Sequence, residues 1–248
     1  MICFIDLEHA SWLETRQSRL EHYGYIMDVK LKLEALSGQP CLVQRYCDVS
    51  LAGLRDAGIS AMLISGNATT FDNYGPDPFV EMHRIVRAAE WPILGFCGGH
   101  QLIAQACGAE VGPIRSLRPG EQDITDLSGP GYFKEWGYLP VSTVADDPIL
   151  EGLGPAPVFL EMHYWEAKQV PAGFRLLAST GDCRVQLMRR SDRPVYGAQF
   201  HPEGYTEWPR DQRNELVNTI YPAGYATAEP AGRQLLQNFF RQAQAQLR

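Results

Sequence analysis

The N-terminal half of the chain alternates short apolar runs with a longer amphipathic stretch. The runs are bounded by turn residues, which is typical of buried strands. They cover residues 2–7, 41–45, 59–64 and 92–96. After the first run, apolar residues recur at spacings of three and four, the period of one helix face. They are Ile26, Val29, Leu33 and Leu36. Strands that alternate with helices predict a parallel sheet with right-handed crossovers.

The C-terminal half has a different pattern, with several strand-like runs separated by turn residues. The runs cover residues 138–144, 158–165, 174–179, 184–188 and 195–200. This spacing predicts antiparallel hairpins that extend the sheet. The chain then closes on an apolar helical stripe, which predicts a core-facing helix. The stripe consists of Leu235, Leu236, Phe239 and Phe240. Since no linker-like segment interrupts the pattern, we predict a single α/β domain over 1–248, with helices on both faces of a mostly parallel sheet.

Composition excludes several classes of function. The formal net charge is −7 and no basic cluster stands out, whereas nucleic-acid binding requires a basic face. No apolar run is long enough to span a membrane, and the first residues lack the cationic start of a signal peptide. The six cysteines have neither metal-type nor disulfide-type spacing. We therefore expect a cytoplasmic protein with no metal, no cofactor, no nucleic-acid partner and no membrane partner.

One cysteine, Cys97, lies at a predicted corner between a strand over 92–96 and a helix from about 99 to 107. Glycines at 95, 98 and 99 allow the sharp turn of a nucleophile elbow, in which the next residue's N–H can face an oxyanion. The helix N-terminus favours the thiolate form of a cysteine. Cys97 is therefore a candidate nucleophile. The alternative is an inert core cysteine beside a glycine turn.

A polar loop, Ser65 to Asp72, follows the third predicted strand. Ligands of open α/β sheets bind at the carboxyl ends of the strands, so this loop and Cys97 are expected to meet at one edge. The alternative interpretation is a solvated connector.

The sequence His201-Pro202-Glu203 supplies what a cysteine nucleophile needs. In an extended segment the side chains at i and i+2 point the same way, and the proline favours an extended backbone at His201. His201 could then act as a general base oriented by Glu203. Taken alone, these three residues could equally form a surface turn.

The two motifs together resemble those of the class I glutamine amidotransferases, which use a Cys, His and Glu triad. The motifs are Gly95-Phe-Cys-Gly-Gly-His-Gln101 and Gly197-Ala-Gln-Phe-His-Pro-Glu203. Further similarity lies in Ile64-Ser-Gly66, in the pattern from Met162 to Ala178, and in the ending Gly232 to Phe240. The pattern around Met162 to Ala178 is most similar to that of the glutaminase domain of GMP synthetase.

The resemblance implies a flavodoxin-like sheet and hydrolysis of a γ-amide through a thioester on Cys97. It assigns the general acid and base to His201 and its orientation to Glu203. Backbone N–H groups of Gly98 and of the Gly66 loop would hold the oxyanion. Gln101 and His163 match positions near the substrate glutamine, although a structural role for His163 is an equal alternative.

The chain departs from the family pattern at three places. The family's oxyanion loop usually continues Gly-Gly-Pro, but here the sequence is Gly66-Asn67-Ala68. The residue after the nucleophile is Gly98, where Leu, Tyr or Ala is usual. The segment 204–231 is longer than the family leads us to expect, and we predict an insertion there.

Three functions are consistent with these residues. The first is a glutaminase that supplies ammonia to a separate synthetase subunit, since the chain has no nucleotide-binding loop of its own. The second is a stand-alone γ-glutamyl hydrolase or peptidase. The third is a non-catalytic binding module with the same fold.

Overall fold

The computed structural model describes residues 1–123, 129–204 and 224–246. It has five α-helices in these ranges: α1 Arg16–Ser37, α2 Leu51–Asp56, α3 Val80–Ala88, α4 Gly98–Ala106 and α5 Gly224–Ala245. The strands of the first half are β1 Ile2–Asp6, β2 Cys41–Arg45, β3 Ala61–Ile64 and β4 Ile93–Phe96. Those of the second half are β5 Val111–Pro113, β6 Glu135–Pro140, β7 Ser142–Thr143, β8 Val158–His163, β9 Trp165–Ala167, β10 Phe174–Ser179, β11 Leu187–Arg190 and β12 Val195–Ala198. The predicted insertion at 204–231 falls mostly on 205–223, outside the described residues.

The central sheet has eight strands in the order β2-β1-β3-β4-β12-β11-β10-β7. The first five are parallel to one another, and the last three join them in antiparallel pairs. The order of the parallel part is that of a flavodoxin-like sheet, with β12 as its fifth strand. The predicted fold class is confirmed. Most importantly for the site, Ala198 at the end of β12 pairs with Phe96 at the end of β4.

Two hydrophobic layers cover the sheet, because alternate residues of each strand point to opposite faces. On one face α1 and α5 pack through residues such as Leu33 and Phe239. On the other face α2, α3 and α4 pack through residues such as Leu54, Met82 and Leu102. The helices therefore lie on both faces, as predicted.

Helix α1 begins and ends where capping residues allow. The side-chain oxygen of Thr15 accepts a hydrogen bond from the N–H of Ser18 at 3.0 Å, which satisfies one of the free donors of the first turn. Gly38 closes the helix with a φ of 67°, a left-handed conformation that favours glycine. None of the helices in the described part of the chain is both long and apolar enough to cross a bilayer.

The C-terminal hairpins are more divided than predicted. The expected run over 138–144 is interrupted after Pro140, because proline donates no ladder hydrogen bond. As a result β6 pairs with β8 in a separate two-stranded sheet, and β5 pairs with β9 in another. The strand expected at 184–188 runs over Leu187–Arg190, after a turn in which the N–H of Thr180 bonds to the carbonyl of Cys183 at 2.9 Å.

Candidate active site

Cys97 occupies a strained corner between β4 and α4. Its φ is 46° and its ψ is −104°, a combination that costs a β-carbon-bearing residue about 1–3 kcal/mol. Two backbone hydrogen bonds hold it there: the N–H of Cys97 donates to Ala198 at 2.8 Å, and that of Gln101 donates to the Cys97 carbonyl at 3.0 Å. The helix starts directly after the thiol. This is the elbow geometry that the glycines predict.

The glycines flanking Cys97 are required by close packing. A Cβ atom on Gly95 would lie 2.5 Å from the backbone carbon and oxygen of Gly99. One on Gly99 would lie 2.5 Å from the carbonyl oxygen of Ile64 at the end of β3. Helix α4 therefore approaches β3 and β4 so closely that neither position can hold a side chain.

His201 lies between Cys97 and Glu203. Its Nδ1 is 2.8 Å from Oε1 of Glu203, and the ring also hydrogen-bonds to Cys97. Burial disfavours the imidazolium, but the charge of Glu203 and these hydrogen bonds outweigh it, so the pKa of His201 lies well above its usual value. The ring is therefore poised to hold a proton beside the thiol.

The backbone at His201 differs from the predicted extended segment. The N–H of His201 donates to Leu160 at 2.9 Å, and the chain then turns, with the N–H of Gly204 donating back to the His201 carbonyl at 3.2 Å. A turn also brings the side chains at positions 201 and 203 together. The prediction that they meet is right, and the predicted local conformation is wrong.

Two residues of α1 reach Glu203 from the far end of the sequence. The hydroxyl of Tyr25 donates to Oε1 of Glu203 at 2.9 Å, and Nζ of Lys32 donates to the Glu203 backbone carbonyl. Burial and the neighbouring Glu203 raise the pKa of Tyr25, so its hydroxyl remains a donor. Burial lowers the pKa of Lys32 to about 8 against the attraction of Glu203. Sequence reasoning missed both residues, because nothing local links them to the triad.

The loop after β3 forms the wall opposite the elbow, as the sheet topology predicts. A Cβ atom on Gly66 would lie 3.0 Å from Cε1 of His201 and 3.3 Å from Cβ of Cys97. The loop backbone thus contacts both the histidine and the thiol. Gly98 faces the same loop at its residue Asn67.

Gln101 lies one helical turn beyond Cys97 and is almost fully buried. Its Nε2 donates to the Trp165 carbonyl at 2.9 Å and to Oε1 of Gln199 at 3.2 Å. Gln199 in turn directs its own Nε2 to Sγ of Cys97 at 3.7 Å. The structure therefore adds Gln199, which sequence reasoning did not single out although it lies two residues before His201.

Comparison with known proteins decides the family. The class I glutamine amidotransferase sequence model matches residues 43–215, more than half of the chain. The chain belongs to this family. The prediction of an enzyme of this class is thereby confirmed.

Relatives of the chain include components of a known synthase. The glutamine-hydrolysing GMP synthase component of Sulfolobus acidocaldarius is 38% identical over 175 residues, which cover 64% of this chain and 84% of that protein. The corresponding component from Methanothermobacter thermautotrophicus is 36% identical over 118 residues, 48% of this chain and 54% of that protein. The chain thus matches about half the length of the latter relative. A glutamine amidotransferase structure from Thermotoga maritima superposes with a TM-score of 0.66 at 14% identity, over 98% of this chain and 97% of that one.

The amidotransferase's His163 lies in a buried ionic group. Its Nε2 is 3.0 Å from Glu135 and 3.1 Å from Glu161, while Nδ1 is 2.9 Å from the carbonyl of Trp165. Although burial opposes it, the two carboxylates raise the pKa of His163 above its ordinary value. Burial raises the pKa of Glu161 to about 7. The predicted contact of His163 with substrate remains a prediction, and these contacts are those of a structural histidine.

One group among the described residues has the composition of a metal site. The potential ligand atoms of Glu135, His163 and Cys183 lie within 4.8 Å of one another. However, Glu135 already accepts hydrogen bonds from Thr180 and, at 2.6 Å, from Gln186. Its oxygens are thus satisfied by protein donors, as expected of a structural ionic group.

Proposed function

We propose that the chain hydrolyses the γ-amide of glutamine through a thioester on Cys97. The observation that carries the proposal is the placement of one imidazole, that of His201, in hydrogen-bonding contact with both Cys97 and Glu203. A thiol with an oriented base at a helix N-terminus is the arrangement that acyl transfer by cysteine requires.

In the first step the Cys97 sulfur attacks the amide carbon and a C–S bond forms. Backbone N–H groups of Gly98 and of the Gly66 loop stabilise the oxyanion; each such donor typically contributes about 10²–10³ in kcat. The C–N bond then breaks, and His201 gives its proton to the departing ammonia. Glu203 holds the ring and stabilises its cationic form.

In the second step His201 removes a proton from water, whose oxygen attacks the thioester carbon. The C–S bond breaks, glutamate leaves, and the proton returns to the Cys97 sulfur. The balance is glutamine and water to glutamate and ammonia. Gln101 would help position the substrate, as its place one turn beyond Cys97 suggests.

The ammonia would pass to a separate synthetase subunit. This part of the proposal is supported by the relatives, which are named as subunits of glutamine-hydrolysing GMP synthases. We expect slow glutamine hydrolysis by the isolated chain and faster turnover when the synthetase partner is added.

The proposal is tested by replacing the nucleophile. Cys97→Ser should lower the rate of glutamate formation by on the order of 10⁴-fold or more, because the remaining groups cannot form the thioester. A glutamine-analogue alkylator should label Cys97, located by mass spectrometry. Cys47→Ser is the matched control, since Cys47 is exposed and lies away from the site.

Three results would contradict the proposal. Cys97→Ser with intact glutaminase activity would remove the triad assignment. Robust turnover of γ-glutamyl conjugates but not of free glutamine would favour the γ-glutamyl hydrolase. Failure to label Cys97, with and without the synthetase, would favour a non-catalytic module.

A further inference from the structure

The two departures from the family motifs, Asn67 and Gly98, are in direct contact. A Cβ atom on Gly98 would lie 1.6 Å from Oδ1 of Asn67 and 2.8 Å from its Cγ. Both distances are far below van der Waals contact. The Asn67 side chain therefore fills the space in which a side chain at position 98 would begin.

The backbone at Gly98 does not itself require glycine. Gly98 is the first residue of α4 and is absent from the residues with positive φ, so its conformation is open to any residue. The Asn67 backbone nitrogen is 3.3 Å from the same Cβ position. What excludes a side chain at position 98 is thus the loop residue and not the nucleophile turn.

Asn67 is itself held from the opposite side. Its Nδ2 donates to the carbonyl of Thr69, and its side chain also hydrogen-bonds to the hydroxyl of Tyr74. That hydroxyl donates to the carbonyl of Leu7 at 2.6 Å. The amide side chain is therefore fixed between the end of β1 and the start of α4.

A buried carboxylate restrains the rest of the loop. Glu8, which follows β1, is 3% exposed. Its Oε2 accepts from the N–H of Ala68 at 2.6 Å, and Oε1 accepts from the hydroxyl of Thr69 at 2.7 Å and from its N–H at 3.3 Å. Hydrogen bonds to an ionised group are stronger than neutral ones. The loop lacks a proline after its glycine, and this carboxylate restrains its backbone instead.

We propose that Asn67 is a positioning residue of the oxyanion loop and that Gly98 and Glu8 fix it from two sides. The inference rests on the proposed glutaminase mechanism for its catalytic consequence. In this arrangement the Asn67 side chain takes the volume that a side chain on residue 98 would occupy. Its contacts keep the loop backbone against Cys97 and His201, where a developing oxyanion would need its N–H groups.

The test is a cycle of four proteins: wild type, Gly98→Ala, Asn67→Gly and the double variant. Reaction of Cys97 is followed by mass spectrometry with two electrophiles, a diazoketone analogue of glutamine and iodoacetamide. The diazoketone carbonyl needs the oxyanion donors, whereas alkylation by iodoacetamide develops no oxyanion. Gly98→Ala displaces Asn67 and should lower the diazoketone rate about 10²-fold while the iodoacetamide rate stays within about two-fold.

The double variant should recover at least about ten-fold of the lost diazoketone rate, because Asn67→Gly removes the clash. Equal reactivity of Gly98→Ala and wild type, or a double variant no better than Gly98→Ala, would overturn the proposal. A uniform loss with both electrophiles in Gly98→Ala would also overturn it, since the thiol rather than the oxyanion loop would then be affected.

Thermal unfolding of the same proteins separates this proposal from the proposed function. Alanine is favoured over glycine within a helix, so Gly98→Ala should raise Tm unless it clashes. We expect Tm to fall by about 5 °C in Gly98→Ala and to recover in the double variant. If wild type reacts with iodoacetamide but not with the diazoketone, the glutaminase function fails. The proposal on Asn67 is then decided by Tm: no fall, or no recovery, overturns it.

A second variant tests the restraint on the other side of the loop. Glu8→Gln keeps the shape and weakens the acceptor, while Glu8→Ala removes both contacts. We expect kcat for glutamine to fall by less than about ten-fold in Glu8→Gln and by about 10²-fold in Glu8→Ala, with KM little changed. An unchanged kcat in Glu8→Ala would contradict the role of Glu8. The open, exposed Gly154 provides a control variant, Gly154→Ala.

Discussion

At the scale of single residues, the triad depends on one carboxylate oxygen that has two donors. Oε1 of Glu203 is 2.8 Å from Nδ1 of His201 and accepts from the Tyr25 hydroxyl at 2.9 Å. The tyrosine therefore fixes the carboxylate in the position at which it orients the ring. The His201 and Glu203 pair is visible in the sequence because its residues are two apart. The tyrosine is 178 residues away from Glu203, and only the packing of α1 brings them together.

Tyr25→Phe should slow the reaction without abolishing it. Loss of the hydrogen bond to Glu203 leaves the carboxylate freer to turn away from His201, and such a bond to a charged group contributes about 1.5–3 kcal/mol. We expect kcat for glutamine to fall roughly ten-fold with KM nearly unchanged, and the pH dependence of kcat/KM to shift because His201 loses a fixed partner. Tyr23→Phe, on the same helix but 45% exposed, should behave like wild type. Equal kinetics in the two variants would show that Tyr25 does not position Glu203.

At the scale of secondary-structure elements, the site depends on how closely α4 approaches the sheet. Gly95 on β4 contacts the backbone of Gly99 on α4, and Gly99 contacts the carbonyl of Ile64 on β3. The parallel pairing of β12 with β4 then places His201 beside Cys97. The glycines at the elbow could be predicted from the sequence. The pairing of β12 could not, because strand runs separated by short turns predict hairpins and carry no signal for a parallel neighbour about 100 residues away.

Gly95→Ala should destabilise the fold by forcing α4 away from β4. The added methyl group would meet the Gly99 backbone at 2.5 Å and Cδ1 of Ile103 at 2.8 Å, and the backbone cannot yield as a side chain can. Overpacking of this kind costs about 1–3 kcal/mol. Urea unfolding of Gly95→Ala and Gly154→Ala measures the difference, since position 154 has open space for a methyl group. Equal stability of the two variants would mean that α4 can move without cost.

At the scale of the whole molecule, the sequence predicts what is local or periodic and misses what depends on distant packing. The parallel half of the sheet, the two helical faces and the Cys97 corner follow from apolar runs and glycines. Glu8 could have been noted as a carboxylate at the carboxyl end of a strand, but its hydrogen bonds to a loop 60 residues away depend on the strand order. The ionic group of Glu135, His163 and Glu161 likewise requires β6 and β8 to pair as a separate sheet.

This ionic group makes the stability of the whole chain depend on pH. The pKa of His163 is raised in the folded state, so the folded chain binds this proton more tightly than the unfolded chain does. Its contribution is fully present below the ordinary histidine pKa of about 6.5, and it decreases as pH rises toward the folded-state value. The loss is at most about 1.4 kcal/mol per pH unit for one proton. His201, whose pKa is also raised, acts in the same direction.

Because two histidines share this pH range, the test is a difference between variants. Glu161→Gln removes one of the two charges that raise the pKa of His163, and it keeps the shape of the buried side chain. The free energy of unfolding should therefore fall less between about pH 7 and 8.5 in Glu161→Gln than in wild type. Glu110→Gln, at an exposed position, should retain the wild-type slope. Parallel curves for Glu161→Gln and wild type, or a His163 ring that NMR shows to be already neutral near neutral pH, would contradict the assignment, because the proton that links folding to pH would then be held elsewhere.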